Sequence, residues 1–333
     1  MLKKVIGGLV FIVVLAVVAF YFTASSSWES EANYHQLKSW ERPATQPSDT
    51  LVAMTYNIGY LSGMTNNLSI PRIKALFDEN LSQAKTVIAL INPDIIGFQE
   101  IDYQSNRSYD VQQLDELARS SNYSQALQSV NWDRRYVPFP YWPPEHHFGK
   151  MLSGQSILAK GTLSTDQVVT LPKPINAPFY YNAFYLDRLI QIADWEIGGT
   201  TIKVMNLHLE AFDKETRIIH AKAVKQLYES FASDMPVILM GDFNSPPAIK
   251  AGEDGMDIVM SANNIASAVS DSLYASNPLN YSTFSSDSPT EMIDFVLYNP
   301  SHIQPIHAYV PRAGEISDHL PVVFKFKLIN QEM

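Results

Sequence analysis

Polar and apolar positions alternate over several short stretches of the chain and recur at helical spacing over two longer ones. Residues 51–58, LVAMTYNI, put Val52, Met54 and Tyr56 on one face and read as a strand. PDIIGFQEI at 93–101 is a near-continuous apolar run opened by Pro93, the pattern of a buried strand. SGQSILAK (153–160), AFYLDRLIQIADWEI (183–197), TIKVMNLHLEA (201–211), PVILM (236–240), MIDFVLYN (292–299) and HLPVVFKFKL (319–328) read as further strands. In the last of these, Val323, Phe324 and Phe326 suit a buried sheet. Residues 70–91 carry Ile73, Leu76, Phe77, Leu81, Ala84, Val87, Ile88 and Ile91 at helical period, and residues 213–232 form an amphipathic helix capped by Asp213. No glycine-rich loop follows the first strand, so dinucleotide and P-loop sites lack support. The pattern predicts an α+β fold, a four-layer α/β/β/α sandwich of two mainly antiparallel sheets with helices outside.

The N-terminus departs from this pattern. MLKK is followed by VIGGLVFIVVLAVVAFYF, residues 5–22, which carry no charge. The run exceeds the roughly 7–15 apolar residues of a signal peptide and approaches the roughly 17–25 that span a bilayer. It reads as a membrane helix, with residues 1–4 as a cytoplasmic stub and residues 23–48, rich in Ser, Glu, Gln and Pro, as a tether. Residues 49–330 then form one domain outside the cytoplasm, periplasmic or extracellular. TASSS offers a cleavage site, so secretion after signal removal is the alternative.

Composition narrows the partners. The 333 residues are 46% hydrophobic and 17% charged, a globular balance. A net charge of -10, with only short basic pairs such as Arg134-Arg135, weighs against a duplex-DNA grip, although acidic clefts that gather metal escape that objection. Cysteine is absent, which removes disulfides, zinc-thiolate sites, a cysteine nucleophile and lipid attachment through an N-terminal cysteine. No obligate protein partner is implied.

Several strands end in polar groups that a core strand does not need. Asn57 closes the first, Gln99-Glu100 the next, and Asn206-Leu207-His208 lies in another. PVILMGDFNSPP stops an apolar run at Gly241 and presents Asp242 and Asn244 two apart. Asp294 sits amid Met292, Ile293, Phe295 and Val296, where a charge needs a partner or a metal. Asp318-His319 precedes the last strand. Singly, each has an ordinary structural reading: a turn asparagine, a surface carboxylate, a satisfied core histidine. Jointly they match a hard-metal hydrolase, with oxygen ligands for magnesium and histidines for proton transfer.

TYNIG, PDIIGFQE, NLHLEAF, VILMGDFNSPP, MIDFVLYN and ISDHLPVVFKF occur in the order found in the endonuclease/exonuclease/phosphatase superfamily, which the chain resembles over about residues 50–328. That superfamily includes pancreatic-type deoxyribonucleases, apurinic-site nucleases, bacterial sphingomyelinases and inositol-polyphosphate phosphatases. The resemblance implies a magnesium-dependent phosphoric ester hydrolase, with manganese as a substitute. It implies that Glu100 ligates the metal, with Asn57 and Asp318 close by. It implies His319 as general base oriented by Asp294, Asp242 positioning the water, Asn244 holding a phosphate oxygen, and His208 assisting the leaving group or the phosphoryl oxygens.

Residues 131–160 are dense in aromatics and proline and read as a substrate mouth or a self-packed loop. Tyr136, Trp142 and His147 are candidate substrate contacts there, Arg188 is a candidate phosphate contact, and Arg217 reads as structural. Arg134, Arg135 and Lys150 suit an anionic head group. Nucleases of the superfamily often carry a basic residue before the buried aspartate, where Glu291 and Met292 stand in this chain. Lipid head groups or small phosphodiesters are therefore expected ahead of nucleic acid. A nuclease and a silent binding module of the same fold are the alternatives.

Overall fold

Each strand predicted from the sequence forms in a computed structural model, which describes residues 2–42, 48–66, 68–248 and 254–329. Residues 43–47 of the predicted tether and residue 330, the last of the predicted domain, lie outside those described. The first sheet is built from β1 (His35–Ser39), β2 (Leu51–Asn57), β3 (Ile95–Asp102), β4 (Gln125–Val137), β5 (Gly149–Ala159), β12 (Ile303–Tyr309) and β13 (Val322–Leu328), in the order β1-β4-β5-β3-β2-β13-β12. The second contains β6 (Thr162–Leu171), β7 (Arg188–Ile197), β8 (Thr200–His208), β9 (Val237–Asp242), β10 (Ala266–Ser267) and β11 (Asp294–Tyr298), in the order β10-β11-β9-β8-β7-β6. Pairing is antiparallel except between β2 and β3 and between β8 and β9.

The sheets face each other across an apolar layer that includes Leu51, Ala53, Ile95, Leu127 and Ile157 from one side and Ile190, Ile192, Trp195 and Val204 from the other. Helices Lys74–Ile91 and Gln113–Arg119 cover the outer face of the first sheet, burying Phe77, Ala84, Ile88, Leu114 and Leu117 against Met54, Tyr56, Ile96 and Phe98. Helix Lys214–Glu229 packs Ala221, Val224 and Tyr228 with the second sheet. Its Asp213 cap is as predicted, the carboxylate accepting the Thr216 N–H at 2.7 Å. Arg217 pairs with Asp254 at 2.9 Å, so it is structural.

A buried amide seam crosses the apolar layer. Asn206 on β8 donates to the Phe98 carbonyl at 3.1 Å and to Gln191 Oε1 at 2.8 Å, and accepts from Gln99 Nε2 at 2.6 Å. Gly97 makes room for it, because a Cβ there would stand 2.6 Å from Asn206 Oδ1.

Two expectations change. Residues 131–160 are not one long loop: β4 and β5 occupy most of the stretch, and only residues 138–148 connect them. The predicted tether is also not free. Residues 35–39 are edge strand β1, paired antiparallel to β4, and Trp40 donates its N–H to Ser124. The apolar helix Leu2–Ala24 precedes it and stays exposed until its last turn, where Tyr21 is half-buried and Ala24 buried.

Replacing Asn206 by leucine keeps the volume but strands the partners on Gln99 and Gln191, each buried unpaired polar group costing about 1–3 kcal/mol. Urea unfolding should show a loss of roughly 3 kcal/mol or more. A loss below about 1 kcal/mol would mean that the seam does not hold the sheets together.

Candidate active site

Both parallel pairs deliver their strand ends to the same rim. β2 ends at Asn57, β8 at His208 and β9 at Asp242, while β11 begins at Asp294, directly opposite Asp242 in register. Glu100 reaches the rim by a different device. Gln99 points toward the second sheet, so strict alternation would turn Glu100 away from it. A bulge between Phe98 and Ile101, with Glu100 at φ 51°, swings the carboxylate into the cleft. That backbone costs about 1–3 kcal/mol for a residue with a Cβ. Gly241, expected to turn the chain out of the sheet, lies within β9; its φ of 151° accompanies an approach to the Leu207 carbonyl that a Cβ would block at 2.1 Å.

His319 is the best-fixed group. Its Nδ1 lies 2.9 Å from Asp294 Oδ2, and because a carboxylate only accepts, Nδ1 carries the proton. Its Nε2 faces Asn57 Nδ2 at 3.4 Å and Asp242 Oδ2 at 3.7 Å. The Phe284 ring covers it at 5.0 Å, and Ser317 Oγ accepts the His319 N–H at 3.1 Å. Asn57 donates to Asp242 Oδ2 at 2.9 Å while its oxygen takes the Gly59 N–H. Asn57 thus turns its NH2 group toward Asp242 and its oxygen toward the Gly59 N–H. Asn244 accommodates φ 48°, donates its N–H to Asp242 Oδ1 at 2.9 Å and its amide to the Leu209 carbonyl at 3.0 Å.

His208 Nε2 stands 3.4 Å from Asp242 Oδ2 and 4.0 Å from Glu100 Oε1. Arg188 donates to Tyr185 Oη at 3.0 Å, and Tyr185 in turn donates to Glu210 at 3.0 Å. The Nε and Nη1 atoms of buried Arg188 have no hydrogen-bond partner. Burial, with Arg188 and His319 nearby, holds His208 well below the ordinary imidazole range, so it is neutral. Burial also opposes charge on His319, but Asp294 and Asp242 outweigh it and lift His319 well above that range. Asp242 is pushed up to about 7, first by burial and then by Asp294. Glu100 is raised by burial and by Asp318.

Two carboxylate sets are available to a cation. Asp242, Asp294 and His319 bring their ligating atoms within 4.8 Å of one another, a proximity already accounted for by the His319–Asp294 hydrogen bond. Glu100 and Asp318 both line the cleft and repel each other.

The cleft has a volume of about 710 Å3. Glu100, Arg188, His208, Asp242, Asn244, Asp318 and His319 line one part, and Tyr60, Trp132, Phe139, Tyr141, Phe148, Tyr180 and Phe184 are among the rings of the rest. Tyr136, Trp142 and His147 do not line it. Tyr136 Oη and His147 Nδ1 bond to each other at 2.7 Å, and Trp142 is largely exposed. Lys150 pairs with Asp110, Arg134 bonds the Asp133 and Ala183 carbonyls, and Arg135 bonds Ser27, so these cations are engaged within the protein. Residues that sequence reasoning missed include Asn66, which donates to Glu100 Oε2 at 2.8 Å, and Arg107, which chelates Asp102 and lies 3.2 Å over the Tyr60 ring. Neither carries a local motif. Glu210, two residues after His208, was open to inference from its place in NLHLEAF.

A model of the Endonuclease/Exonuclease/phosphatase family matches residues 54–319. No curated protein matches the chain in sequence. Among solved structures, a mannosyl-6-phosphatase of Bacteroides thetaiotaomicron is similar at 18% identity and a TM-score of 0.56, over 84% of this chain and 100% of that one. The catalytic domain of human Nocturnin, solved with a bound sulfate anion, is 17% identical with a TM-score of 0.55, over 90% of this chain and 100% of that one. Humanized D. rerio TDP2 is 16% identical with a TM-score of 0.57, over 84% and 100%. At these identities the likeness is one of fold.

NMR titration of the imidazoles in metal-free protein should find His319 protonating well above 6.5 and His208 remaining neutral well below it. Because Asp294 raises His319, Asp294→Asn should move its midpoint downward. The sign also applies to stability: His319 stabilises the fold most below pH 6.5 and that contribution is lost as pH rises through its folded value. An unmoved midpoint in Asp294→Asn would show that Asp294 does not set the charge of His319.

Proposed function

The chain belongs to the Endonuclease/Exonuclease/phosphatase family, and from that premise we propose that it is a divalent-metal-dependent hydrolase of phosphoester bonds, favouring lipid head groups or small phosphodiesters over nucleic acid. The observation that carries this reading is the His319–Asp294 pair at 2.9 Å in a cleft that Arg188 also lines, its Nη1 without a hydrogen-bond partner. One group can take a proton, and the other can receive an anion.

When His319 is deprotonated, Asp294 keeps the remaining proton on Nδ1, leaving the Nε2 lone pair to accept a proton from the attacking water. The imidazolium so formed lies between Asp294 and Asp242, whose charges favour it. Asp242 accepts from Asn57 and from the Asn244 N–H and is positioned to orient the water. Neutral His208 serves as a hydrogen-bond donor to the phosphoryl oxygens or the leaving group rather than as a strong acid. The Nη1 group of Arg188, without a hydrogen-bond partner, suits non-bridging oxygens. Asn244 Oδ1 and Nδ2 are held at the rim by the Leu209 contact.

Glu100 and Asp318 are the residues that would hold magnesium, or manganese in its place. Both are oxygen donors of the kind hard cations prefer, and their mutual repulsion marks a place short of positive charge. Bound there, the ion supplies charge neutralisation at the phosphoryl oxygens.

Three features support small or lipid phosphoesters over nucleic acid: the net charge of -10, the internal engagement of Arg134, Arg135 and Lys150, and a cleft walled by rings.

On a chromogenic phosphodiester with magnesium, His319→Ala should lower turnover by roughly 10²–10⁴-fold while circular dichroism stays unchanged. Turnover like that of the unmodified chain would sink the general-base assignment. Glu100→Gln should move the magnesium activation curve to higher concentration. A curve that does not move removes Glu100 from the metal site.

A further inference from the structure

Between the apolar helix and the cleft lies a collar of rings that the chemistry does not use. In the last turn of the helix, Phe20 meets Tyr136 at 5.9 Å and Tyr21 meets Phe179 and Phe184 at 5.9 and 6.0 Å. Phe184 also lines the cleft. Beyond the helix the chain is bound at once. Asp133 on β4 accepts the N–H groups of Trp28 and Glu29, and the Ser26 carbonyl accepts from Arg135 at 2.9 Å. The helix is thus joined to the domain with no free linker. Phe179, which does not line the cleft, is 75% exposed on this collar, and Ile175, four residues before it in the chain, is 76% exposed.

The helix has 23 residues, an 18-residue stretch of it has a mean hydropathy of 2.9, and it is exposed until its last turn. At 1.5 Å per residue it is about 34 Å long, enough for a hydrocarbon core of roughly 30 Å. Embedded so, its last turn sits at the head-group level, and the rings that touch that turn sit there with it. Aromatic side chains favour this depth because one end of the ring environment is apolar and the other wet.

We infer that the collar around Phe179 and Ile175 is a membrane-docking face whose occupant is the phospholipid bilayer that holds helix Leu2–Ala24, and that the cleft opens at this surface to take an amphiphilic phosphoester from it. The substrate half rests on the hydrolase reading, whereas the docking half does not. The rings between collar and cleft offer an apolar path for the substrate's tail, and Arg188 stands in the same cleft to meet the phosphate.

The absence of cysteine makes the test direct. Single cysteines at Phe179, Ile175 and Leu90 of the full chain are spin-labelled and reconstituted in phosphatidylcholine vesicles containing phosphatidylglycerol. Leu90 is 81% exposed near the end of helix Lys74–Ile91, before the start of β3, whose Ile95 stands roughly 17 Å along the strand from Glu100 at the rim. Labels at Phe179 and Ile175 should favour relaxation by oxygen over a water-soluble nickel chelate several-fold more than the Leu90 label. Equal accessibility at all three overturns the docking face, as does recovery of a mature chain that lacks residues 2–24. In the activity arm, Phe179→Asp with Ile175→Asp should lower turnover of a vesicle-borne phosphodiester several-fold and leave a soluble chromogenic one unchanged. Equal effects on the two substrates overturn capture from the bilayer. No turnover of either by the unmodified chain sinks the hydrolase reading and with it the substrate half, while label depth still decides docking.

Discussion

The amide of Asn206 sets the register on which the site depends. It bonds Gln99 on the facing sheet and Gln191 on its own, and an amide bonded on both sides in an apolar layer has no second comfortable position. His208 is two residues further along β8, on the same face, and Glu100 follows Gln99 on β3. Locking the first pair therefore brings the second pair into opposition one step along the strands. Hydrophobic contact alone would tolerate sliding, since leucine and isoleucine fill the layer equally well in neighbouring registers. The seam makes sliding expensive where a small error would separate His208 and Asp242 from Asn57 and Glu100 on the facing sheet.

Above the seam, the electrostatics is a problem of too many carboxylates. Asp242, Asp294, Glu100, Asp318 and Glu210 share a small buried volume with His319 and Arg188. Glu210 is balanced by Arg188 and Asp294 by His319. That leaves Asp242, Glu100 and Asp318 short of partners, which is why Asp242 and Glu100 move upward. A buried carboxylate cluster is satisfied either by protons or by a cation. The same imbalance that retains protons at Asp242 and Glu100 makes the place receptive to a hard metal ion, and the two occupants compete for the same charge.

The sequence made most of the sandwich legible because its strands are apolar runs cut by turns. β4 is the instructive exception. Its Gln128, Asn131 and Asp133 are buried, so the run QALQSVNWDRRYV does not read as a core strand. Asp133 is satisfied by Trp28 and Glu29, from a segment about a hundred residues away, and no local pattern announces such a partner. At the site, His319, Asp294, Asp242 and His208 were legible as polar groups at strand ends, and they do meet. Asn57 was legible as a site residue but not as a donor, because the choice of amide face follows from the Gly59 N–H. Tyr136 and His147 bond each other outside the cleft, because aromatic density tells that rings cluster, not which of them face it.

The segment read as a tether matters most for function. A free linker of residues 23–48 would spread its ends over about 28 Å and let the domain tumble above the membrane. The chain is instead strapped along β4 by the Asp133 bonds, the Tyr34 hydroxyl on Asp133 and the β1 pairing. With helix Leu2–Ala24 embedded as inferred above, strapping would fix which side of the domain faces the bilayer. For a substrate dissolved in water that orientation is immaterial, since it reaches the cleft from any direction. For a phosphoester whose tail stays in the bilayer, orientation decides whether the phosphate can reach Arg188 and His319 at all. A rigid junction would thus matter only for substrates that do not leave a membrane, and this one stands beside a ring-walled cleft.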